Sequence, residues 1–445
     1  MLPWNISEIA ALTSGKIMNF SNQLIDNISI DTRTLQKGDL YVAIRGQRWD
    51  GHQFISKAAR YGASAVLVER PYPKHIPQVI VKDTTVALGQ LGKAQRLQWN
   101  GQVIAITGSV GKTTVKEMIS HILEERFSVL KNDGNFNNQF GVPLTLLKLK
   151  AKHQVAIVEL GINHPGEMEI LSEIARPDIA VITMIGDAHI GNFNGKRELT
   201  FEKLKIAQYL NSEGKLIINN QPLSSRVDFK NKIYFGLQTG SLHAEQVVSN
   251  GSQIRFVIVQ GKKKWNGILN LMGEFQVLNA VAAVTTTFEM GCSISYSLKK
   301  LKTFQKLPPM RMQQENRKGI LFLNDAYNAS PVSMKSALET VMNLKIPGKK
   351  ILVLGDMLEL GKWSQKEHQR IIDQAMKIPH SNLILYGSQM IAAFQKRQHS
   401  NQTAILMTEN LHQVAQWIRT LACPNDLVFL KASHACHLEN VLREV

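Results

Sequence analysis

The chain has 445 residues, which is more than one hydrophobic core usually supports, so we expect about three domains of ~150 residues each. Hydrophobic residues make up 44% of the sequence and charged residues 20%, a balance that is typical of a soluble globular protein. No apolar run approaches the ~20 residues that span a bilayer, and the first residues lack a signal-peptide pattern. We therefore expect a cytoplasmic protein without a membrane span.

Cysteine usage and net charge bear on the compartment of the protein and on its binding partners. Cys292, Cys423 and Cys436 form neither a paired framework nor a CxxC metal motif, which fits a reducing compartment. The formal net charge of +17 raises the question of nucleic-acid binding. However, the densest basic runs, 262–264 and 299–300, lack interleaved aromatic residues and fall in predicted turns. We expect a solvated basic surface and no nucleic-acid partner.

Strands and helices alternate along the chain, and the alternation restarts twice. The first segment predicts strands at 40–44 and 65–68 around a helix at 54–61 that follows a turn at 46–51. The middle segment predicts parallel strands at 103–106, 155–159, 179–183 and 215–218. After Pro308–Pro309, strands are predicted at 321–323, 350–354, 383–385 and 428–431, with helices such as 366–376 and 411–421. The pattern predicts an α/β protein with domains 1–98, 99–307 and 308–445, the last one Rossmann-like.

Residues 103–114 predict a phosphate-binding loop between a strand and a helix. Gly108 and Gly111 allow a tight turn with inward N–H groups, and Lys112 supplies an ammonium group for the terminal phosphates. The Thr113 hydroxyl suits a bound Mg²⁺. The usual first glycine is replaced by Ile106, so the loop is shortened. A glycine-rich turn without a ligand is the alternative, and the agreement of strand, turn, Gly-Lys-Thr and helix disfavours it.

Polar residues also follow two other strands of the middle segment. Glu159 ends one predicted strand, and His189 follows another. Ligand-binding groups collect at the carboxyl ends of parallel strands, and carboxylate and imidazole groups both bind divalent cations. A hydrogen-bonded structural histidine is the alternative for His189 taken alone. Together with the phosphate loop, the pair predicts a metal site at neighbouring strand ends.

These motifs resemble the ATP-dependent Mur ligases of bacterial cell-wall synthesis. The resemblance rests on Thr-Gly-Ser-Val-Gly-Lys-Thr at 107–113, on residues 135–143 and 159–163, and on Ala188–His189. Further motifs at 31–33, 325–328 and 354–361 favour the family member that adds a D-alanyl-D-alanine dipeptide. The member that adds a diamino acid would show an Asn-Pro-Arg signature, which this sequence lacks. Folylpolyglutamate synthase lacks the motifs found here at 31–33 and 354–361.

The resemblance implies an amide ligase that uses ATP and Mg²⁺ in peptidoglycan precursor synthesis. It implies UDP-N-acetylmuramoyl-tripeptide and D-alanyl-D-alanine as substrates, an acyl-phosphate intermediate and a monomeric enzyme with a central phosphate-loop domain. The alternatives are a non-catalytic or regulatory ATP-binding protein on the same scaffold, and a nucleic-acid-dependent ATPase. The sequence has no recognisable arginine finger or aromatic-basic patch, which disfavours the nucleic-acid-dependent ATPase.

The resemblance also implies a role for individual residues. The implied catalytic residues are Lys112, Glu159, His189, Lys203 and Arg311. The implied nucleotide-binding residues are Thr107, Gly108, Ser109, Val110, Gly111, Lys112, Thr113, Asn279, Arg311 and Asp325. Thr113, Glu159 and His189 would bind metal, and Thr32, Arg33 and Asn138 would bind the acceptor substrate.

The resemblance also implies a modification of Lys203, and a few residues differ from the family pattern. The resemblance implies that Lys203 is carbamylated by CO₂ and reaches a second Mg²⁺, which Glu159 and His189 would hold; a solvated basic residue is the alternative. Six residues at four places in the chain differ from the family pattern, and an arginine that would grip a carboxylate is replaced by a titratable histidine. The replaced positions are Phe275–Gln276, Met310, Ser330 and the Ala432/His434 pair.

Overall fold

The computed structural model describes residues 3–46, 48–222, 228–305, 307–396 and 405–445. In these residues the strands form three sheets, and successive stretches of the chain supply them. The predicted α/β fold class is confirmed. Each helix in the described part of the chain is too short or too polar to cross a bilayer.

The N-terminal sheet is small. Its strands are β1 (Lys16–Met18), β2 (Ile28–Ser29), β3 (Leu40–Val42), β4 (Ala65–Val68) and β5 (Gln78–Ile80). They run in the order β1-β5-β4-β3-β2, parallel except for the β1–β5 pair. Helices α1 (Ile6–Thr13), α2 (Ile55–Arg60) and α3 (Thr84–Gln98) belong to this stretch. The predicted turn at 46–51 includes Gln47, which lies outside the described residues.

The middle sheet has nine strands in the described residues, in the order β14-β13-β12-β11-β10-β9-β6-β8-β7. They are β6 (Gln102–Thr107), β7 (Val129–Lys131), β8 (Val155–Glu159), β9 (Ile179–Ile182), β10 (Lys215–Asn219), β11 (Lys232–Leu237), β12 (Leu242–Ser249), β13 (Ile254–Gln260) and β14 (Lys263–Leu269). The helices are α4 (Lys112–Leu123), α5 (Gly141–Leu146), α6 (Glu167–Ala175), α7 (Lys196–Leu204), α8 (Phe275–Glu289) and α9 (Ile294–Lys302). The four strands predicted for this segment are confirmed as β6, β8, β9 and β10.

The sequence pattern did not predict β11–β14, which extend the sheet and end in antiparallel pairs. Of the two basic runs that were predicted to lie in turns, Lys262 does lie in a turn, and the other residues do not. Lys263 and Lys264 begin β14, where Lys264 pairs with Val259 of β13. The run at 299–300 lies in α9, whose opposite face buries Ile294, Leu298 and Leu301. Periodic burial of apolar neighbours decided both cases.

The C-terminal sheet has the order β15-β16-β20-β17-β18-β19. Its strands are β15 (Gln313–Arg317), β16 (Ile320–Asn324), β17 (Lys350–Gly355), β18 (Ser381–Tyr386), β19 (Ile405–Thr408) and β20 (Leu427–Lys431). They are parallel apart from the β15–β16 pair. The helices are α10 (Pro331–Asn343), α11 (Ser364–Ala375), α12 (Ser388–Gln395) and α13 (Leu411–Leu421).

No described strand belongs to two sheets, and the boundaries at 98 and 308 stay predictions. The C-terminal stretch is closed against the middle sheet. A Cβ built on Gly186 would lie 3.0 Å from Cγ2 of Val332 in α10. One continuous buried apolar cluster contains residues of both stretches, among them Ile185 and Met334. The closed arrangement brings C-terminal side chains to the carboxyl edge of the middle sheet.

Candidate active site

The phosphate loop lies between β6 and α4, as predicted. Gly108 has φ +150° and Gly111 has φ +86°, conformations that favour glycine. A Cβ on Gly111 would also lie 2.3 Å from Oδ1 of Asn279. The Thr183 hydroxyl, just beyond β9, donates to the Val110 carbonyl at 2.6 Å and holds the loop against the sheet. The loop is therefore fixed from both sides.

The side-chain nitrogen atoms of two lysines meet at one carbonyl of this loop. Lys112 Nζ donates to the Gly108 carbonyl oxygen at 2.9 Å, and Lys203 Nζ lies 3.4 Å from the same oxygen. Lys203 is 1% exposed, so its alternative reading as a solvated residue is wrong. Burial lowers the pKa of Lys203 well below its usual value, and the Lys112 charge adds to this. Burial lowers the pKa of Lys112 as well, against the opposing effect of the Glu159 carboxylate. The Lys112 ammonium group suits an anionic ligand, whereas burial beside it favours the uncharged amine of Lys203.

Glu159 ends β8 with one carboxylate oxygen unused. Asn137 Nδ2 donates to Oε1 at 2.8 Å, whereas Oε2 is buried and has no hydrogen-bond partner. The Glu159 backbone is held by Asn132, whose Oδ1 accepts from the Glu159 N–H at 2.9 Å. The buried Lys116 ammonium in turn donates to the Asn132 carbonyl at 2.6 Å. A buried carboxylate oxygen without a partner fits a cation ligand.

His189 is held by the C-terminal stretch. Its Nδ1 contacts the carboxylate of Glu359, and this contact with His189 lowers the pKa of Glu359. The prediction that Glu159 and His189 follow neighbouring strands is wrong, because β6 lies between β8 and β9. The two residues thus flank the strand that carries the phosphate loop. Periodicity gives strand positions along the chain but not the order of strands in the sheet.

Arg311 crosses from the C-terminal stretch to the phosphate loop. Its Nη2 donates to the Thr113 hydroxyl at 2.9 Å, and its Nε is buried without a partner. The guanidinium lies 4.0 Å from the ring centre of Tyr327, and His434 stacks on the same ring at 5.7 Å. His434, which replaces an arginine of the family pattern, is therefore linked to Arg311 through the Tyr327 ring.

The other predicted nucleotide residues are also engaged in hydrogen bonds or ion pairs. Asp325 Oδ2 lies 2.5 Å from the buried Lys431 ammonium. Asn279 Nδ2 donates to Gln276 Oε1 at 2.9 Å. Met310, which replaces a glycine of the family pattern, has φ +58°, a conformation that explains why glycine suits this position. Ser330 caps α10, and its hydroxyl accepts from the Ser333 N–H.

A cavity of about 700 Å³ joins most of these groups. Thr107, Gly108 and Lys203 lie outside its lining, as do Thr32 and Arg33 of the N-terminal stretch. Arg33 instead pairs with Asp31 at 2.6 Å and is exposed. The predicted site residues that line the cavity are Ser109, Val110, Gly111, Lys112, Thr113, Asn138, Glu159, His189, Asn279, Arg311 and Asp325.

The sequence pattern missed several residues of the cavity wall. Arg45 reaches the cavity from the N-terminal sheet and pairs with Glu69 at 2.5 Å. Lys431 and Tyr327 come from the C-terminal stretch. No motif marks Arg45, because only the packing of the N-terminal sheet against the rest brings it to the cavity. Tyr327 lies in the motif at 325–328 and Lys431 directly precedes the replaced residue Ala432, but neither residue was assigned a role from the sequence.

The side chains of the site could supply a few ligands to a metal ion, and the phosphates of a nucleotide would supply others. Among the described residues, no group of three or more His, Cys, Asp or Glu side chains is close enough to hold an ion. Mg²⁺ usually takes one or two carboxylates, and water and substrate phosphates fill the rest. The free Glu159 oxygen supplies such a carboxylate at the loop edge.

Fold and site together define a phosphate-loop protein in which a second α/β unit closes over the phosphate site. The family model "Mur ligase middle domain" matches residues 106–287, and "Mur ligase, glutamate ligase domain" matches residues 310–434. A third model, "Mur ligase family, catalytic domain", matches residues 24–96. The chain belongs to the Mur ligase family.

Full-length relatives and solved structures agree with this assignment. The UDP-N-acetylmuramoyl-tripeptide–D-alanyl-D-alanine ligase of Bacillus subtilis is 32% identical over 100% of this chain and 99% of its own length. A crystal structure of MurF from Acinetobacter baumannii has a TM-score of 0.91 at 32% identity and covers 99% of this chain and 98% of its own. MurF from Thermotoga maritima in complex with ADP has a TM-score of 0.85 at 25% identity, covering 94% and 96%.

Proposed function

We propose that this chain is an ATP-dependent ligase that joins D-alanyl-D-alanine to UDP-N-acetylmuramoyl-tripeptide, a step in peptidoglycan precursor synthesis. The printed names of the full-length relatives support it. The observation that carries the proposal is the convergence of Lys112, Lys203 and Arg311 on the phosphate loop. Lys112 and Lys203 meet at the Gly108 carbonyl, and Arg311 reaches Thr113 from the opposite side of the cleft.

The side chains suit a ligation in two chemical steps. The substrate carboxylate oxygen attacks the γ-phosphorus of ATP, the bond to the β-phosphate oxygen breaks, and an acyl phosphate and ADP form. The amine nitrogen of the dipeptide then attacks the activated carbonyl, loses a proton, and expels inorganic phosphate. Phosphoryl transfer depends mainly on positioning and charge neutralisation. Lys112 and Arg311 supply that positive charge in this proposal. One Mg²⁺ held by Thr113 and a second Mg²⁺ held by Glu159 and His189 would add further charge neutralisation.

We also propose that Lys203 carries a carbamate. An uncharged amine attacks CO₂, a proton leaves, and the ammonium position becomes an anion. Two unit charges ~4 Å apart repel by about 4 kcal/mol in an effective dielectric near 20, so burial beside Lys112 favours the uncharged amine. The buried position of Lys203 supports the proposal. The family's glutamate two residues later is Lys205 here, and Lys205 pairs with Glu202 at 3.0 Å.

Substrate contacts complete the proposal. Asn279 and Asp325 are assigned to the adenosine part of ATP, and Asn138 to the acceptor substrate. Thr32 and Arg33 are assigned to the uridine diphosphate end, outside the cavity. Arg33 is exposed and paired with Asp31, so an anionic ligand has access to it. The enzyme is proposed to act as a monomer.

The direct test is ADP release by the purified protein with UDP-N-acetylmuramoyl-tripeptide, with and without D-alanyl-D-alanine. We expect release that depends on both substrates, and little release when L-alanyl-L-alanine replaces the D-dipeptide. Acceptors with lysine and with diaminopimelate at the third position are tested in parallel. ATP binding without dipeptide-dependent ADP release would favour a non-catalytic scaffold, for which the His434 replacement is the supporting observation.

A further inference from the structure

Glu359 makes a contact between the C-terminal and middle stretches that the proposed chemistry does not use. It follows β17, and its carboxylate contacts Nδ1 of His189. His189 lines the cavity, whereas Glu359 does not. The side chain of Glu359 therefore approaches the imidazole from outside the cavity.

Backbone contacts reinforce this side-chain contact. The Gly191 N–H donates to the Glu359 carbonyl at 2.9 Å. A Cβ on Gly191 would lie 2.5 Å from the Gly361 nitrogen, so the two backbones touch with no room for a side chain. His189 has φ +63° and Glu359 has φ +64°, left-handed conformations that non-glycine residues rarely adopt. Both sides of the contact are thus held in uncommon backbone conformations.

The chemistry of imidazole gives the contact a consequence. A histidine that binds a metal through one ring nitrogen usually donates the other N–H to a carboxylate, which fixes both tautomer and ring orientation. With Nδ1 directed to Glu359, Nε2 is the nitrogen left for a ligand in the cavity.

We propose that Glu359 is a positioning residue that holds His189 with Nδ1 protonated and Nε2 free. Because Glu359 comes from the C-terminal stretch, His189 is oriented only when that stretch closes on the middle sheet. Closure and completion of the metal site are then one event, so the phosphoryl-transfer groups assemble as water is excluded from the cleft. The inference rests on the proposed function for its role of His189 as a metal ligand.

Two substitutions separate the hydrogen bond from the fold. Glu359→Gln keeps an acceptor oxygen, and Glu359→Leu keeps comparable length without one. Glu409→Gln, an exposed glutamate of the same stretch, is the matched control. Nitrogen-15 NMR of the metal-free, histidine-labelled protein reads the His189 tautomer, with His189→Gln to assign its signal. We expect the Nδ1-protonated tautomer in the wild type, the control and Glu359→Gln, and its loss in Glu359→Leu.

Metal affinity gives a second readout that is independent of turnover. The quantity to be measured is equilibrium Mn²⁺ binding in the presence of a non-hydrolysable ATP analogue. Glu359→Leu should bind Mn²⁺ about 10–100-fold more weakly, which is the usual effect of removing such a partner. A wild-type tautomer and wild-type affinity in a folded Glu359→Leu protein would overturn the inference.

Gly191→Ala tests the closure part, because the added methyl group would clash with backbone atoms of Glu359, Leu360 and Gly361. We expect weaker Mn²⁺ binding and a larger radius of gyration in small-angle X-ray scattering. Since the two changes act on one contact, the double variant with Glu359→Leu should lose little more than either single variant. Unchanged binding and size in Gly191→Ala would contradict it. Absence of ligation by the wild type would refute the proposed function and leave the tautomer and closure results to be judged separately.

Discussion

Arg311 and Thr113 are joined by a hydrogen bond of 2.9 Å although they belong to different stretches of the chain, which form different sheets. Thr113 is the second residue of α4, directly after the phosphate loop, whereas Arg311 precedes β15. The contact therefore forms only when the C-terminal stretch lies over the loop. It explains how a residue far along the chain takes part in a phosphate site.

Replacing Arg311 by lysine should lower kcat by about tenfold or more. Lysine keeps the charge but loses the planar fork that reaches Thr113 and stacks on Tyr327. Steady-state kinetics of ADP release measures the effect, and Arg443→Lys, at an exposed position of the same stretch, is the control. Equal kcat in Arg311→Lys and wild type would show that charge alone suffices.

Lys112→Ala should lower the rate at least ~100-fold, the usual cost of removing one preorganised charge stabiliser. The exposed Lys262, at the turn before β14, provides the matched control variant Lys262→Ala. ADP release at saturating substrates is the measurement, and thermal unfolding checks the fold. A loss smaller than tenfold would remove Lys112 from the catalytic set.

Lys203→Ala should abolish most of the activity, because no other side chain replaces a carbamate at that position. Carbon-13 NMR of protein equilibrated with labelled bicarbonate should show a carbamate signal that Lys203→Ala lacks. Chloride or short carboxylates should not restore Lys203→Arg if the bridging oxygen geometry matters. Full activity in Lys203→Ala, or high-resolution density that ends at an unmodified Nζ, would refute carbamylation.

Asp50 should make the N-terminal stretch sensitive to acid. Burial raises the pKa of Asp50, but hydrogen bonds from His52 and Arg70 outweigh it and bring the pKa to about 2, below the ordinary value of 3.8. A carboxyl whose pKa is lowered by folding contributes stability above its ordinary value, and this is lost as pH falls toward the folded value. Asp50→Asn should therefore lower Tm at neutral pH, with the difference shrinking between pH 3.8 and about 2. A difference that is independent of pH would contradict the ion-pair explanation.

Much of the fold could be predicted because burial leaves a periodic trace. Strands β4 and β8 and helix α13 have the predicted bounds, since each is bounded by turn residues and buries regular apolar positions. The strands β11–β14 were not predicted, because the many polar residues on their exposed face make these stretches resemble loops in the sequence. Strand order was also out of reach, as the position of β6 between β8 and β9 illustrates.

The sequence by itself determined the phosphate loop, because glycine conformation and the lysine that follows it are local requirements. It also determined the family, since the motifs occur at intervals along the whole chain. Only the tertiary structure decided which residues meet across the cleft. The burial of Lys203 beside Lys112, the reach of Arg311 to Thr113 and the contact of Glu359 with His189 all depend on how separate sheets pack. Such contacts leave no trace in local periodicity, because the free energy that forms them comes from surfaces far apart in the chain.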